Sequence, residues 1–139
     1  MPIDYEVKNG MMVFFNGIYA IMKIYSQYIT ELNLIDIPPD TTILDLEGCI
    51  ALTTLPGTLP NNLTELNLSF CAALTTLPDA LPNNLTKLNL RGCKSLTKLP
   101  DNLTSLINLT VLNLRGCTAL TTLPGTLPNS LTGLNLEGC

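Results

Sequence analysis

The stretch LTELNLSFCAALTTLPDALPNN, residues 63–84, is followed at once by LTKLNLRGCKSLTKLPDNLTSLIN, residues 85–108, which repeats its pattern. Both begin with alternating leucines, and both close that phrase on a cysteine. Aligned on this residue, five copies stand 22, 22, 24 and 22 residues apart, at Cys49, Cys71, Cys93, Cys117 and Cys139. A period in this range predicts a solenoid built from stacked copies of one structural unit.

The blocks that end on the cysteines indicate strands. They are TTILDLEGC at 41–49, LTELNLSFC at 63–71, LTKLNLRGC at 85–93, LTVLNLRGC at 109–117 and LTGLNLEGC at 131–139. Alternation of leucine with polar residues predicts a short strand with one apolar face. A single copy has too few apolar side chains to offset the entropy lost on ordering it, so we expect the copies to stack.

Each block fits L-x-x-L-x-L-x-x-C, and residues 37–139 resemble a leucine-rich repeat protein with cysteine in the Asn/Cys position of the repeat. The resemblance implies a leucine-rich repeat solenoid with parallel β-strands on its concave face. We expect the solenoid to occupy residues 37–139 and an N-terminal cap to occupy residues 1–36. The cysteines are expected to form a buried structural column rather than disulfides or a catalytic site.

The connectors predict little helix. PGTLPNN, PDALPNN and PGTLPNS each place two prolines within five residues, which favours extended or 3₁₀ segments on the convex side. The third connector, Pro100–Asn108, is two residues longer and lacks the second proline, so Asp101 or Asn102 is expected to cap a single helical turn.

Two narrower resemblances bear on function. The short connectors are similar to those of secreted leucine-rich repeat effectors of intracellular bacteria. The stretch LNLRGCKSLTKLPDNLTSLINLTVLNLRGC is similar to the repeats of plant intracellular immune receptors, but the chain has no G-x-x-x-x-G-K-[ST] loop. The effector-like group is therefore the closer fit to this chain.

The two ends of the array need protection. Asn9-Gly10 and Asn16-Gly17 are hairpin signals, so DYEVK, MMVFF and IYAIMKIY predict three short antiparallel strands. A competing interpretation makes residues 17–28 an amphipathic helix, giving an α/β rather than a β cap. At the other end the last block closes on Cys139, and we expect that edge to continue into further chain or to be covered by a partner or a symmetry mate.

Composition argues against several functions. The chain has no histidine, a net charge of −4 and only 13% charged residues, and it contains no recognisable catalytic or zinc-binding motif. We therefore expect no enzyme activity, no cofactor, no metal, no nucleic-acid partner and no membrane span. Free thiols without an export signal indicate a cytoplasmic protein, or, for a bacterial effector, one secreted into the host cytosol.

Candidate binding residues lie on the strand face opposite the leucines, where the copies differ. Asp45, Asn67, Asn89, Asn113 and Asn135 form a ladder whose role is either scaffold or contact. Phe70 replaces a glycine found in the other four copies and is either a surface accident or an anchor. The predicted partner-binding residues are Ile43, Asp45, Glu47, Glu65, Asn67, Phe70, Lys87, Asn89, Arg91, Val111, Asn113 and Arg115.

These residues predict a non-enzymatic protein–protein interaction module. We expect an effector-type protein that binds, and inhibits, another protein through its concave face, over a length of about 20 to 25 Å. Lys87, Lys94, Lys98, Arg91 and Arg115 indicate either a basic centre or ordinary solvated charges. The alternative function is a recognition or scaffold fragment of a larger receptor or ligase.

Overall fold

The computed structural model describes residues 4–8, 11–15, 20–24, 27–32 and 37–139, with the backbone alone for residues 4–8, 11–15 and 20. Within this part of the chain the strands join into one sheet whose order follows the sequence. They are β1 (Asp4–Lys8), β2 (Met11–Phe15), β3 (Ala20–Lys23), β4 (Thr41–Asp45), β5 (Glu65–Asn67), β6 (Lys87–Asn89), β7 (Val111–Asn113) and β8 (Gly133–Asn135).

The repeats lie side by side. Strands β4 to β8 are parallel and in register, so that equivalent leucines face one another along the sheet: Leu44, Leu66, Leu88, Leu112 and Leu134. The backbone ladder continues past each short strand; for example, the Leu68 N–H donates to the Asn89 carbonyl at 2.8 Å. This arrangement is a leucine-rich repeat solenoid of about five turns, and the fold prediction is confirmed.

The core is a continuous stack of leucines. Side chains from the strand blocks and from the connectors are buried together, from Met22 in β3 and Ile24 just after it to Leu120 after the fourth block. Because every repeat buries its leucines against the next one, removal of water from apolar surface stabilises the array as a whole. At the last repeat Leu134 and Leu136 are 42% and 40% exposed, because no described repeat follows them.

Threonines near the start of each strand form hydrogen bonds between neighbouring repeats. The Thr86 hydroxyl donates to the Thr64 carbonyl at 2.9 Å, one repeat back, and the Thr86 N–H donates to the same carbonyl at 2.7 Å. The same hydroxyl bond recurs at Thr64, Thr110 and Thr132. These residues therefore serve the backbone ladder rather than the surface.

The connectors contain one short helix, a 3₁₀ helix at Asp101–Ser105, in the connector where a helical turn was expected. The expectation that Asp101 or Asn102 caps it is wrong, because Pro100 is the capping residue and makes no side-chain bond. Asn102 lies inside the helix and bonds across to the preceding repeat instead. Its amide donates to the Leu81 carbonyl at 3.0 Å and its oxygen accepts the Leu81 N–H at 3.1 Å.

The described residues before the first repeat include the β strands β1 to β3. β1 and β2 pair antiparallel, β2 and β3 pair antiparallel, and β3 joins β4 in parallel with a register shift after Ala20. The three-strand interpretation is confirmed, and the helix predicted as its alternative at 17–28 is wrong because Ala20–Lys23 is a strand. The predicted turns Asn9-Gly10 and Asn16-Gly17 lie outside the described residues, as do residues 33–36. No helix in the described ranges has the length and apolar character needed to cross a membrane.

Candidate functional site

The polar side of the sheet forms a shallow depression of about 430 Å³. We call this surface the exposed sheet face: the side chains on either side of Met22 in β3 and of the central leucine in each strand from β4 to β8. It brings together eight of the predicted binding residues, which line the depression with Ile21 and Lys23: Ile43, Asp45, Glu65, Asn67, Lys87, Asn89, Val111 and Asn113. The other four, Glu47, Phe70, Arg91 and Arg115, lie two or three residues after the ends of the strands, and we call them the strand-end rim.

Most charges on this surface are paired between neighbouring strands. Lys87 Nζ lies 3.0 Å from Glu65 Oε1, and Lys23 Nζ lies 3.3 Å from Asp45 Oδ2. On the rim, Arg115 Nη2 lies 3.2 Å from Glu137 Oε1. Exposed pairs of this kind add little stability, but they neutralise each other's field. The predicted basic centre is therefore weakened at Lys87 and Arg115.

The asparagine ladder has a local structural role. In each repeat the side-chain oxygen accepts the N–H two residues on; Asn113 Oδ1 accepts the Arg115 N–H at 3.0 Å, and Asp45 does the same for Glu47 at 3.1 Å. Equivalent bonds are made by Asn67, Asn89 and Asn135. Such bonds end a strand by giving its next N–H a side-chain partner. A sideways bond also occurs, from Asn67 Nδ2 to Asp45 Oδ1 at 3.0 Å.

Phe70 departs from the repeat in backbone as well as side chain. The turn that follows each strand needs a left-handed residue, and glycine supplies it at Gly48, Gly92, Gly116 and Gly138 with φ of 72–76°. Phe70 adopts φ of 62° although a side chain makes this conformation costly, by about 1–2 kcal/mol. Its N–H still donates to the Arg91 carbonyl, at 2.6 Å, so the ladder is unbroken.

The Phe70 ring packs against the next repeat and is partly exposed to solvent. It lies against Gly92, and the Arg91 guanidinium carbon lies 5.2 Å from its centroid, a cation–π contact. The ring remains 43% exposed. Ser69, beside it, is only 3% exposed, whereas the residues at the same position in the other copies are exposed: Glu47, Arg91, Arg115 and Glu137. The second repeat thus differs from the others at two adjacent positions, a buried Ser69 and an exposed Phe70.

The cysteines behave as a structural column. Cys49, Cys71, Cys93 and Cys117 are buried thiols outside any disulfide, and Cys139 is an exposed thiol. Each thiol donates to a backbone carbonyl of the preceding repeat; Cys93 Sγ lies 3.1 Å from the Leu68 oxygen and Cys71 Sγ lies 3.2 Å from the Leu46 oxygen. The cysteine position therefore satisfies a buried carbonyl while filling the corner between strand and connector.

Burial keeps these thiols protonated. It raises the pKa of Cys71 from an ordinary 9.0 to about 12 and the pKa of Cys117 to about 11, with neighbouring cysteines adding to the shift. The pKa of Cys93 is raised further for the same reason. Because the thiolate is the reactive form, these three residues are poor nucleophiles and poor metal ligands. Within the described ranges, no three acidic or cysteine side chains gather in a way that would hold a metal ion.

Comparison with known families agrees with the fold. The family model described as FNIP Repeat matches residues 53–94, which include β5 and β6, and the one described as Leucine Rich Repeat matches residues 84–106. No curated protein and no solved structure has significant similarity to the chain. The two family matches and the solenoid support a leucine-rich repeat protein, a class that typically provides a non-enzymatic scaffold for binding other proteins.

The pairing of charges across strands was not predicted from the sequence. Glu65 and Lys87 are 22 residues apart, as are Arg115 and Glu137, so one repeat length separates the members of each pair. Since parallel strands in register place such residues side by side, the alignment that gave the fold also contained this signal. The burial of Ser69 has no comparable signal in the alignment of the copies.

Proposed function

We propose that the protein binds another protein through its exposed sheet face and has no catalytic activity of its own. The observation that supports this proposal is the contrast between the two sides of each strand. Leucine is constant on the buried side, whereas the residue that precedes the central leucine is different in each repeat: Ile43, Glu65, Lys87, Val111 and Gly133. Packing fixes the first set, whereas four members of the second set line the surface depression, where their identity can differ to match a partner.

The size of the face suits a small interface. Neighbouring strands in a sheet lie about 4.8 Å apart, so five or six strands span about 20 to 25 Å. Such a surface matches one partner epitope of roughly 800 Å² per side. Apolar side chains on the face, Ile43 and Val111, are separated by the Glu65–Lys87 ion pair, a mixture typical of interfaces that form between independently folded proteins.

The proposed biological role is that of an effector-type protein that blocks its target, such as an enzyme, by covering a functional surface. This role rests on the similarity of the connectors to those of secreted bacterial effectors. This role implies a cytoplasmic location, which is the host cytosol if the protein is secreted. The buried thiols outside any disulfide fit a reducing compartment of this kind.

A matched pair of variants tests the proposed surface. Ile43→Glu/Val111→Glu adds two carboxylates to the exposed sheet face, and Ala80→Glu/Thr104→Glu adds two to exposed connector residues. Partners captured by the wild-type protein are identified by mass spectrometry, purified and titrated against all three proteins, with circular dichroism as a check on folding. The proposal predicts that the first variant loses binding and the second keeps it. Equal affinity for all three proteins would contradict it.

A further inference from the structure

Among the described cations of the exposed sheet face and its rim, Arg91 is the one without an ion-pair partner. Lys23, Lys87 and Arg115 each lie within 3.3 Å of a carboxylate oxygen on the neighbouring strand or rim. In the described part of the chain, no carboxylate lies within ion-pair distance of the Arg91 guanidinium, whose contact is instead the ring of Phe70. An arginine placed over an aromatic ring keeps its edge donors free while its orientation is fixed.

The apolar half of the same surface is Phe70. Its ring is 43% exposed, and it is held in place by Gly92 on one side. Gly48 occupies the equivalent position of the first repeat, and a β-carbon added there would have no heavy atom within 4 Å, so the surface over Gly48 is open. The site therefore offers a fixed ring, an open surface over Gly48 and a fixed guanidinium.

From these contacts, and resting on the proposed function, we infer that Phe70 and Arg91 form the anchor of the interface, and that it receives a carboxylate adjacent to an apolar side chain. The carboxylate of a partner Asp or Glu accepts hydrogen bonds from the Arg91 guanidinium, a geometry that suits two parallel bonds. The neighbouring apolar side chain of the partner packs beside the Phe70 ring over Gly48. The occupant is thus a protein segment that presents an acidic residue next to an aliphatic or aromatic one.

The backbone at Phe70 supports this assignment independently of charge. Four of the five repeats use glycine at the turn, and the fold is built without strain there. A phenylalanine with positive φ lowers stability without serving the core, since its ring projects to the surface. Departures of this kind from the local rules of a fold concentrate at functional sites.

Peptide selection tests the inference without a known partner. A displayed library of random twelve-residue peptides is selected on the wild-type protein, and the affinity of the recovered peptides is measured for Phe70→Gly, Arg91→Gln and Arg115→Gln. The two arginine variants are matched, because both side chains are exposed at the same repeat position and only Arg115 has an ion-pair partner. We expect Asp or Glu next to an apolar residue to be enriched.

The affinities then decide between outcomes. We expect at least about tenfold weaker binding to Phe70→Gly and Arg91→Gln, and less than about threefold weaker binding to Arg115→Gln. Peptides that lose affinity for Ile43→Glu/Val111→Glu but bind the Phe70 and Arg91 variants normally would overturn the inference and leave the proposed function standing. A selection whose peptides respond to neither set of changes, or that yields none, contradicts both.

Discussion

The ring of Phe70 lies against the backbone of Gly92 so closely that a β-carbon added at Gly92 would stand 2.8 Å from Phe70 Cδ1. The equivalent position one repeat on, Gly116, has no neighbour nearer than 3.7 Å to such an atom. The second and third repeats are therefore coupled through their turns. Glycine is required at residue 92 both for its positive φ and for the space that the ring occupies.

Replacing Phe70 tests whether its backbone is strained. Phe70→Gly removes the steric cost of a positive φ, whereas Phe70→Ala keeps that cost and also loses the ring. We expect the glycine variant to be more stable than the alanine variant by about 1 kcal/mol, measured by urea unfolding. At Val111, in a strand, the same two changes should give the opposite order, because glycine weakens a strand. An alanine variant at residue 70 as stable as the glycine variant would show that the backbone carries no strain.

The contact between Phe70 and Gly92 predicts unequal costs for two similar changes. Gly92→Ala and Gly116→Ala both place a side chain at φ near +72°, but only the first meets the Phe70 ring. Gly92→Ala should therefore lower the free energy of unfolding by about 0.5 to 1 kcal/mol more than Gly116→Ala, since the ring must shift. In a Phe70→Gly background the two costs should become equal. A difference that persists in that background would assign the effect to something other than the ring.

The asparagine ladder is expected to contribute more to the stability of the fold than to binding, because its side chains bond to the backbone. Asn113→Ala removes the acceptor of the Arg115 N–H and should cost about 1 kcal/mol. Asn113→Asp keeps an acceptor, as Asp45 does in the first repeat, and should change stability by less than about half as much. Chemical unfolding of the three proteins at neutral pH measures both effects. If the alanine variant were as stable as the wild type, the ladder would be free to serve a partner instead.

The raised thiol pKa values predict a loss of stability in alkali. Below pH 9.0 the thiols are protonated in both the folded and the unfolded chain, so their contribution is fully present. Above it the unfolded chain releases protons that the folded chain keeps until about pH 12 for Cys71 and about pH 11 for Cys117. Stability should therefore fall through this window, by up to about 1.4 kcal/mol per pH unit for each thiol.

A variant without these two thiols provides the control for that titration. Cys71→Ala/Cys117→Ala retains the lysines and tyrosines that also titrate in alkali, so the difference between the two proteins isolates the thiols. Urea unfolding at half-unit steps from pH 8 to pH 11 should give a steeper decline for the wild type. Parallel curves would mean that burial does not raise the pKa values of Cys71 and Cys117.

The fold could be predicted because each repeat carries the same information. The leucine pattern, the cysteine spacing and the prolines all indicate the same stacked unit, and strands β4 to β8 fall inside the blocks aligned on cysteine. Asn102 was misinterpreted because a residue that resembles a helix cap in sequence found a better partner one repeat away, at Leu81. Contacts between repeats at irregular connectors depend on geometry that a local pattern does not contain.

The site could be predicted only in outline. Comparing copies identified Phe70 as an exception, since glycine occupies its position elsewhere, but its positive φ and its contact with Arg91 required coordinates. Coordinates were also needed to show which charges are paired. Arg91 and Arg115 look equivalent in sequence, but of these two only Arg115 has an ion-pair partner in the described part of the chain. Sequence variation between repeats marks a surface, whereas side-chain pairing decides which of its groups can meet a partner.

The most direct test of binding through the exposed sheet face is to map where a bound protein touches the solenoid. A photo-reactive amino acid is placed at Lys87 on the exposed sheet face or at Ala80 on a connector, and each protein is irradiated with the partner recovered by capture. Binding through the exposed sheet face predicts a cross-linked product from residue 87, lost when Phe70→Gly and Arg91→Gln are added, and none from residue 80. Cross-linking from residue 80 alone would place the partner on the connectors and contradict binding through the sheet.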